Sequence, residues 1–170
     1  MKSTLITALL LAATIASAET LITLEGVHNC CRGCANGITK AAEGIKDVTI
    51  APEGSTVKIT AKSKTGAKKA VEAILAAGYY GTTEAGTDKP ATSTSQPKAA
   101  KKLTAATVTG AHLCCQKCVD AVADAVKTVP GITKSNIVSK EKTFTVEGEF
   151  TEPDLLAALN KAGFNGTISK

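Results

Sequence analysis

All six cysteines of the 170-residue chain fall in two short motifs, His28-Asn29-Cys30-Cys31-Arg32-Gly33-Cys34 and His112-Leu113-Cys114-Cys115-Gln116-Lys117-Cys118. Cys31 and Cys34, like Cys115 and Cys118, stand three apart where a loop is expected to enter a helix, so both sulfurs of a pair can face one side of the first turn. The unpaired amides and positive dipole end of such a turn favour thiolate over thiol, and Arg32 and Lys117 add positive charge. Two thiolates at this spacing suit a soft, low-coordinate ion, because calcium and magnesium demand oxygen ligands. Copper(I) leads, with zinc and mercury(II) behind it. Cys30 and Cys114 offer a third sulfur to each motif, and His28 and His112 an imidazole. Three sulfurs would give trigonal copper(I), and three sulfurs plus the imidazole a tetrahedral, zinc-like set. In an extended approach His28 and Cys30 share a side while Cys31 points away, so all four converge only if the chain turns between Cys30 and Cys31. The plainer role for each histidine is a loop residue hydrogen-bonded to backbone.

The elements that must position these side chains are themselves repeated. The motif recurs after 84 residues, and Ala77-Gly78-Tyr79-Tyr80-Gly81 returns as Ala162-Gly163-Phe164-Asn165-Gly166, so the chain contains one unit twice. In the first copy Thr20 to Leu24 is a strand leading to the motif, and a helix from Cys34 carries Ile38, Ala41, Ala42 and Ile45 on one side. In the second, Val119, Val122, Val126 and Val129 form an amphipathic stripe ending near Pro130-Gly131. Alternation about Pro52-Glu53-Gly54 reads as a hairpin, as do Ile132 to Ser139 with Thr143 to Val146. Second helices follow over Gly66 to Ala77 and Pro153 to Ala162, then short strands at Thr82-Thr83 and Thr167 to Ser169. The order is βαββαβ, twice: an α+β chain of two tandem ferredoxin-like domains, residues 19–83 and 105–170, each an antiparallel sheet with two helices on one face. The first copy has fewer residues from its last Cys to the Gly beyond its apolar helical stretch, Cys34 to Gly44 against Cys118 to Gly131, which implies a shorter first helix. Residues 84–104, rich in Lys, Ser, Thr and Pro, are a flexible linker spanning about 25 Å as a coil. Such a tether permits the two sites to meet without requiring it, so they are read as independent.

Residues 1–18 have the pattern of a signal peptide: Lys2, an apolar run from Leu5 to Ile15, and Ala16-Ser17-Ala18 at the cut. The run is too short to span a bilayer comfortably, so no stable membrane insertion is expected after cleavage. The mature chain is then periplasmic or secreted, in an oxidising space where thiols survive if kept reduced for a purpose or protected by metal. A formal charge of +5 with scattered lysines and 3% aromatic residues argues against nucleic-acid binding. Neither a glycine-rich phosphate loop nor a hydrolytic constellation is present, and no enzyme is expected. With Met1 lost in the signal, copper would be held by Cys, with or without His.

The Cys-x-x-Cys between first strand and first helix of a βαββαβ unit resembles the heavy-metal-associated domain family, which includes copper chaperones, metal-binding domains of copper-transporting P-type ATPases and a periplasmic mercury-binding protein. The resemblance covers both units. It implies that Cys31, Cys34, Cys115 and Cys118 are the metal-binding pairs, and it places Tyr79 and Phe164 where ATPase domains and the mercury protein often carry an aromatic. His28-Asn29 and His112-Leu113 replace the family's usual Gly-Met, and Cys30 and Cys114 are additional to its motif. The expected function is extracytoplasmic binding of a soft metal ion for trafficking, sequestration or resistance, with a metal transporter or acceptor protein as partner. The alternative is a periplasmic thiol–disulfide redox protein, although no Trp-Cys-Gly-Pro-Cys motif is present. Structural disulfides are disfavoured, because loops closed within such tight triplets gain little.

Overall fold

A strand that buries every second residue must alternate, and Val57, Ile59 and Ala61 do so around exposed Lys58. They lie on β3 (Thr56–Ala61), which pairs antiparallel with both β1 (Thr20–Glu25) and β2 (Val48–Glu53). A short β4 (Thr82–Thr83) joins the other edge of β1, giving the order β2-β3-β1-β4. The second copy repeats the pattern with β5 (Lys102–Thr109), β6 (Ile132–Asn136), β7 (Thr143–Thr151) and β8 (Thr167–Ser169), ordered β6-β7-β5-β8. The computed structural model describes residues 19–83 and 101–170. The leader expected over residues 1–18, and residues 84–100 of the expected linker, lie outside the described residues. Lys102, Leu103 and Thr104, read from sequence as linker, are the start of β5.

The helices are α1 (Arg32–Ala41), α2 (Lys64–Ala76), α3 (Gln116–Lys127) and α4 (Glu152–Lys161). On α1, Cys34 and Ile38 point into the core; on α3, Cys118, Val122 and Val126 do the same one turn apart. As the residue count implied, α1 is the shorter, 10 residues against 12. Both begin two residues before the third cysteine of the motif, because Cys31 and Cys115 in extended conformation are the residues that cap them. Ser63 and Thr151 cap α2 and α4 through their hydroxyls, which accept from the amides of Gly66 and Asp154. The α+β fold of two βαββαβ units is therefore the one the hydrophobic pattern predicts.

The copies differ in the hairpin after the first helix. β6 stops at Asn136, short of the expected Ser139, whereas β7 runs on to Thr151. Register shifts interrupt both ladders of β7. Gly131 and Gly148 sit there at positive φ, 88° and 133°, where a Cβ on either would run into the facing backbone. Only glycine allows this approach.

Buried side chains of the two copies form one hydrophobic cluster, from Leu24, Ile38 and Tyr79 in the first to Val108, Val122 and Phe164 in the second. The seam is reciprocal. Tyr79 and Phe164, equivalent positions of the repeat, face each other as an antiparallel bridge. Around them the Tyr80 amide donates to the Gly163 carbonyl at 2.9 Å and the Asn165 amide to the Gly78 carbonyl at 3.0 Å. Asn165 also donates its side-chain Nδ2 to the Leu75 carbonyl at 2.8 Å.

Candidate metal centre

The two Cys motifs meet at this seam. Cys31 and Cys115 stand at the N-termini of α1 and α3, Cys34 and Cys118 project from the first turns, and Cys30 and Cys114 arrive on the preceding loops. Within the first copy, the Sγ atom of Cys34 lies 3.7 Å from that of Cys30 and 3.8 Å from that of Cys31. Within the second, Cys118 lies 3.6 Å from Cys114 and 3.8 Å from Cys115. Between copies the approaches are as close: Cys34 to Cys114 is 3.5 Å and Cys34 to Cys118 is 3.7 Å, while Cys30–Cys115, Cys30–Cys118 and Cys31–Cys115 are each 3.9 Å. Each triad converges as a bound ion would require, but the triads are not separate. The tether that permitted a meeting joins two motifs that do meet.

All six thiols are free. Their spacing is nearly twice the ~2.05 Å of a disulfide bond and close to the edge of a metal–thiolate polyhedron. Cys34 and Cys118 are fully buried, whereas the other four are half-exposed at the rim. Position sets their acidity. The first-turn amides, that of Cys34 foremost, favour the thiolate of Cys31 and bring its pKa down to about 6. The Cys118 amide pulls Cys115 down in the same way. Burial pushes Cys30, Cys114 and Cys118 well above the usual thiol range, reinforced by neighbouring sulfurs. At neutral pH Cys31 is therefore held mainly as thiolate, Cys115 is shifted in the same direction, and Cys30, Cys114 and Cys118 are kept protonated.

The histidines occupy equivalent places in unequal surroundings. Each stacks on the aromatic ring of the other copy, His28 on Phe164 at 4.4 Å between centroids and His112 on Tyr79 at 4.3 Å. Burial lowers both pKa values, so both rings are neutral at pH 7. Tyr79 has a hydroxyl that Phe164 lacks. It donates to the Cys34 carbonyl at 3.1 Å and lies 2.8 Å from His112 Nε2. Because the carbonyl takes the phenolic proton, His112 Nε2–H donates to the Tyr79 oxygen, which leaves Nδ1 as the nitrogen with a lone pair. His28 has no such anchor. Its Nε2 is buried without a hydrogen-bond partner, and one of its ring nitrogens lies within 4.8 Å of Cys30 and Cys118 Sγ.

Six sulfurs and a neutral imidazole, with no carboxylate in any of these groups, make a donor set for a soft ion. Every cysteine singled out from sequence is in the centre, and His28 is beside it. His112 is at the seam but tied to Tyr79. Sequence reasoning assigned Tyr79 and Phe164 no part in joining the copies and passed over Asn165. The available signal was the repeat itself, since two like surfaces can close on each other.

The heavy-metal-associated domain model matches residues 108–165, within the second copy. Among solved structures, the chain is similar to oxidized MerP from Ralstonia metallidurans CH34, at 19% identity and a TM-score of 0.34, over 41% of this chain and 100% of that one. It is also similar to the N-terminal soluble domains of Bacillus subtilis CopA, at 18% identity and a TM-score of 0.32, over 90% of this chain and 95% of that one.

Proposed function

We propose that this protein is an extracytoplasmic binder of soft metal ions, copper(I) foremost, with zinc and mercury(II) as the other ions its donors would accept. The observation that carries the reading is the donor chemistry: six free thiols, each within 3.5 to 3.9 Å of at least two others, two of them acidified by helix N-termini. Half-exposed Cys31 and Cys115 receive the incoming ion, and buried Cys34 and Cys118 complete its coordination. The same arrangement supports release to an acceptor protein or transporter, whose own thiolates would replace the outer sulfurs one at a time. Such a role is trafficking, sequestration or resistance rather than catalysis. The leader-like residues 1–18 support a periplasmic or secreted location.

The test is an anaerobic copper(I) titration of the fully reduced protein, residues 19–170, against a chromogenic chelator, with zinc in parallel. The expected result is stoichiometric withdrawal of copper from the chelator, abolished when all six cysteines are serine. Failure to compete for copper, with every thiol confirmed free, overturns the copper reading. One observation favours the rival, thiol–disulfide exchange: the acidic Cys31 is 3.8 Å from Cys34. That rival requires turnover on a disulfide substrate, which the metal-binding reading predicts to be absent.

A further inference from the structure

Three further sulfur pairs, Cys30–Cys31, Cys31–Cys114 and Cys114–Cys115, lie within 4.8 Å, in addition to the nine at 3.5 to 3.9 Å. Together they are the twelve edges of an octahedron. Its opposite corners are Cys30 and Cys114, Cys31 and Cys118, and Cys34 and Cys115. Each pair of opposite corners takes one cysteine from each copy, so neither copy contains the figure alone.

An octahedron has eight triangular faces, which divide into two alternating sets of four. In one set the faces are Cys30-Cys31-Cys115, Cys31-Cys34-Cys114, Cys114-Cys115-Cys118 and Cys30-Cys34-Cys118. Every cysteine belongs to two of the four, and the same holds for the other set. With an edge of 3.8 Å, the centre of a face is about 2.2 Å from each of its corners, against a metal–thiolate bond of about 2.3 Å. A sulfur pair holding an ion linearly would have to stand about 4.6 Å apart, twice that bond length, which the short edges do not reach. The faces thus fit ions bound by three sulfurs, and the corners fit sulfurs bridging two ions.

We propose that the two copies form one closed thiolate cage that binds four monovalent soft ions as a single cluster, instead of one ion in each copy. The proposal rests on the soft-metal reading and deepens it. The charge supports monovalent ions: four of them against six thiolates leave a net −2, whereas four divalent ions would leave +2 in a seam lined by apolar side chains. Six thiolates form as the protons of neutral thiols are displaced by the ions. Because every sulfur is shared, an ion bound at one face orients corners for its neighbours, and the last ions bind more tightly than the first.

Native mass spectrometry of the reduced full chain with one to four equivalents of copper(I) tests this directly. Metal-free and four-copper species are expected together at two equivalents, with one-, two- and three-copper species minor. X-ray absorption is expected to show three-sulfur coordination and a copper–copper distance of about 2.5 Å, the separation of alternate face centres. Cys30→Ser, which breaks two of the four faces in either set, is expected to abolish the four-copper species while the apo fold, followed by circular dichroism, is retained. Stepwise filling that stops at two coppers, without a copper–copper distance, overturns the cage but leaves the soft-metal reading intact. No copper bound at all overturns both.

Discussion

A cysteine at a helix N-terminus and a cysteine one residue earlier share composition and neighbourhood, yet their acidities are driven apart. Cys31 receives the amides of α1, while Cys30 is desolvated beside other sulfurs. A depressed pKa means that the thiolate is the major form at pH 7 and is lost as pH falls through about 6. A raised pKa means that Cys30 and Cys114 stay protonated until well above the ordinary thiol range. In the metal-free reduced protein, iodoacetamide at pH 7 is therefore expected to modify Cys31 and Cys115 at least tenfold faster than Cys30 and Cys114, by peptide mass spectrometry. The Cys31 rate should fall off below about pH 6. Equal rates across the four half-exposed cysteines would contradict this assignment. All of these residues were legible as ligand candidates because residue type and the three-residue spacing are local properties. Their unequal acidity was not, since it depends on which amides and sulfurs surround each thiol in space.

At the scale of elements, periodicity was a sound guide: both βαββαβ orders, the length difference between α1 and α3, and the final short strands follow from apolar spacing and turn residues. The places where sequence and structure part have physical causes. The linker's last residues are strand because Leu103 is buried against β7 opposite Phe150, a partner nearly fifty residues away. β6 ends at Asn136, opposite Thr145, and its ladder to β7 is displaced at Ile132–Lys134, neither of which a strand pattern alone reveals. This irregularity makes a sharp contrast between variants. Gly131→Ala puts a Cβ against the Glu149 carbonyl at positive φ and is expected to cost more than about 2 kcal/mol in urea unfolding. Thr151→Ala removes the hydroxyl that caps α4 and donates to the Asp154 carboxylate, and is expected to cost about 1 kcal/mol. Similar costs for the two would mean that the close approach of β6 and β7 is not demanding.

At the scale of the whole molecule, the face-to-face closure of the copies was the part no local pattern carried. Hydrophobic periodicity reports which face of an element is buried, not which other domain covers a loop. Asn165 gives this closure a handle, because its side chain crosses the seam to the Leu75 carbonyl. Asn165→Ala is expected to loosen the seam by about 1 kcal/mol. The readout is faster alkylation of the two buried thiols, Cys34 and Cys118, with an unchanged circular dichroism spectrum. Unaltered protection of both would show that the bond does not hold the copies together. The reciprocity of the seam, Tyr79 against Phe164 and each histidine on the other copy's ring, has a kinetic meaning as well. Two like surfaces that close on each other are ordinarily a homodimer, whose assembly slows and reverses on dilution. Here both halves lie on one chain, so closure is a first-order event at a fixed effective concentration. A molecule alone in a large volume meets its other half as often as one in a crowd.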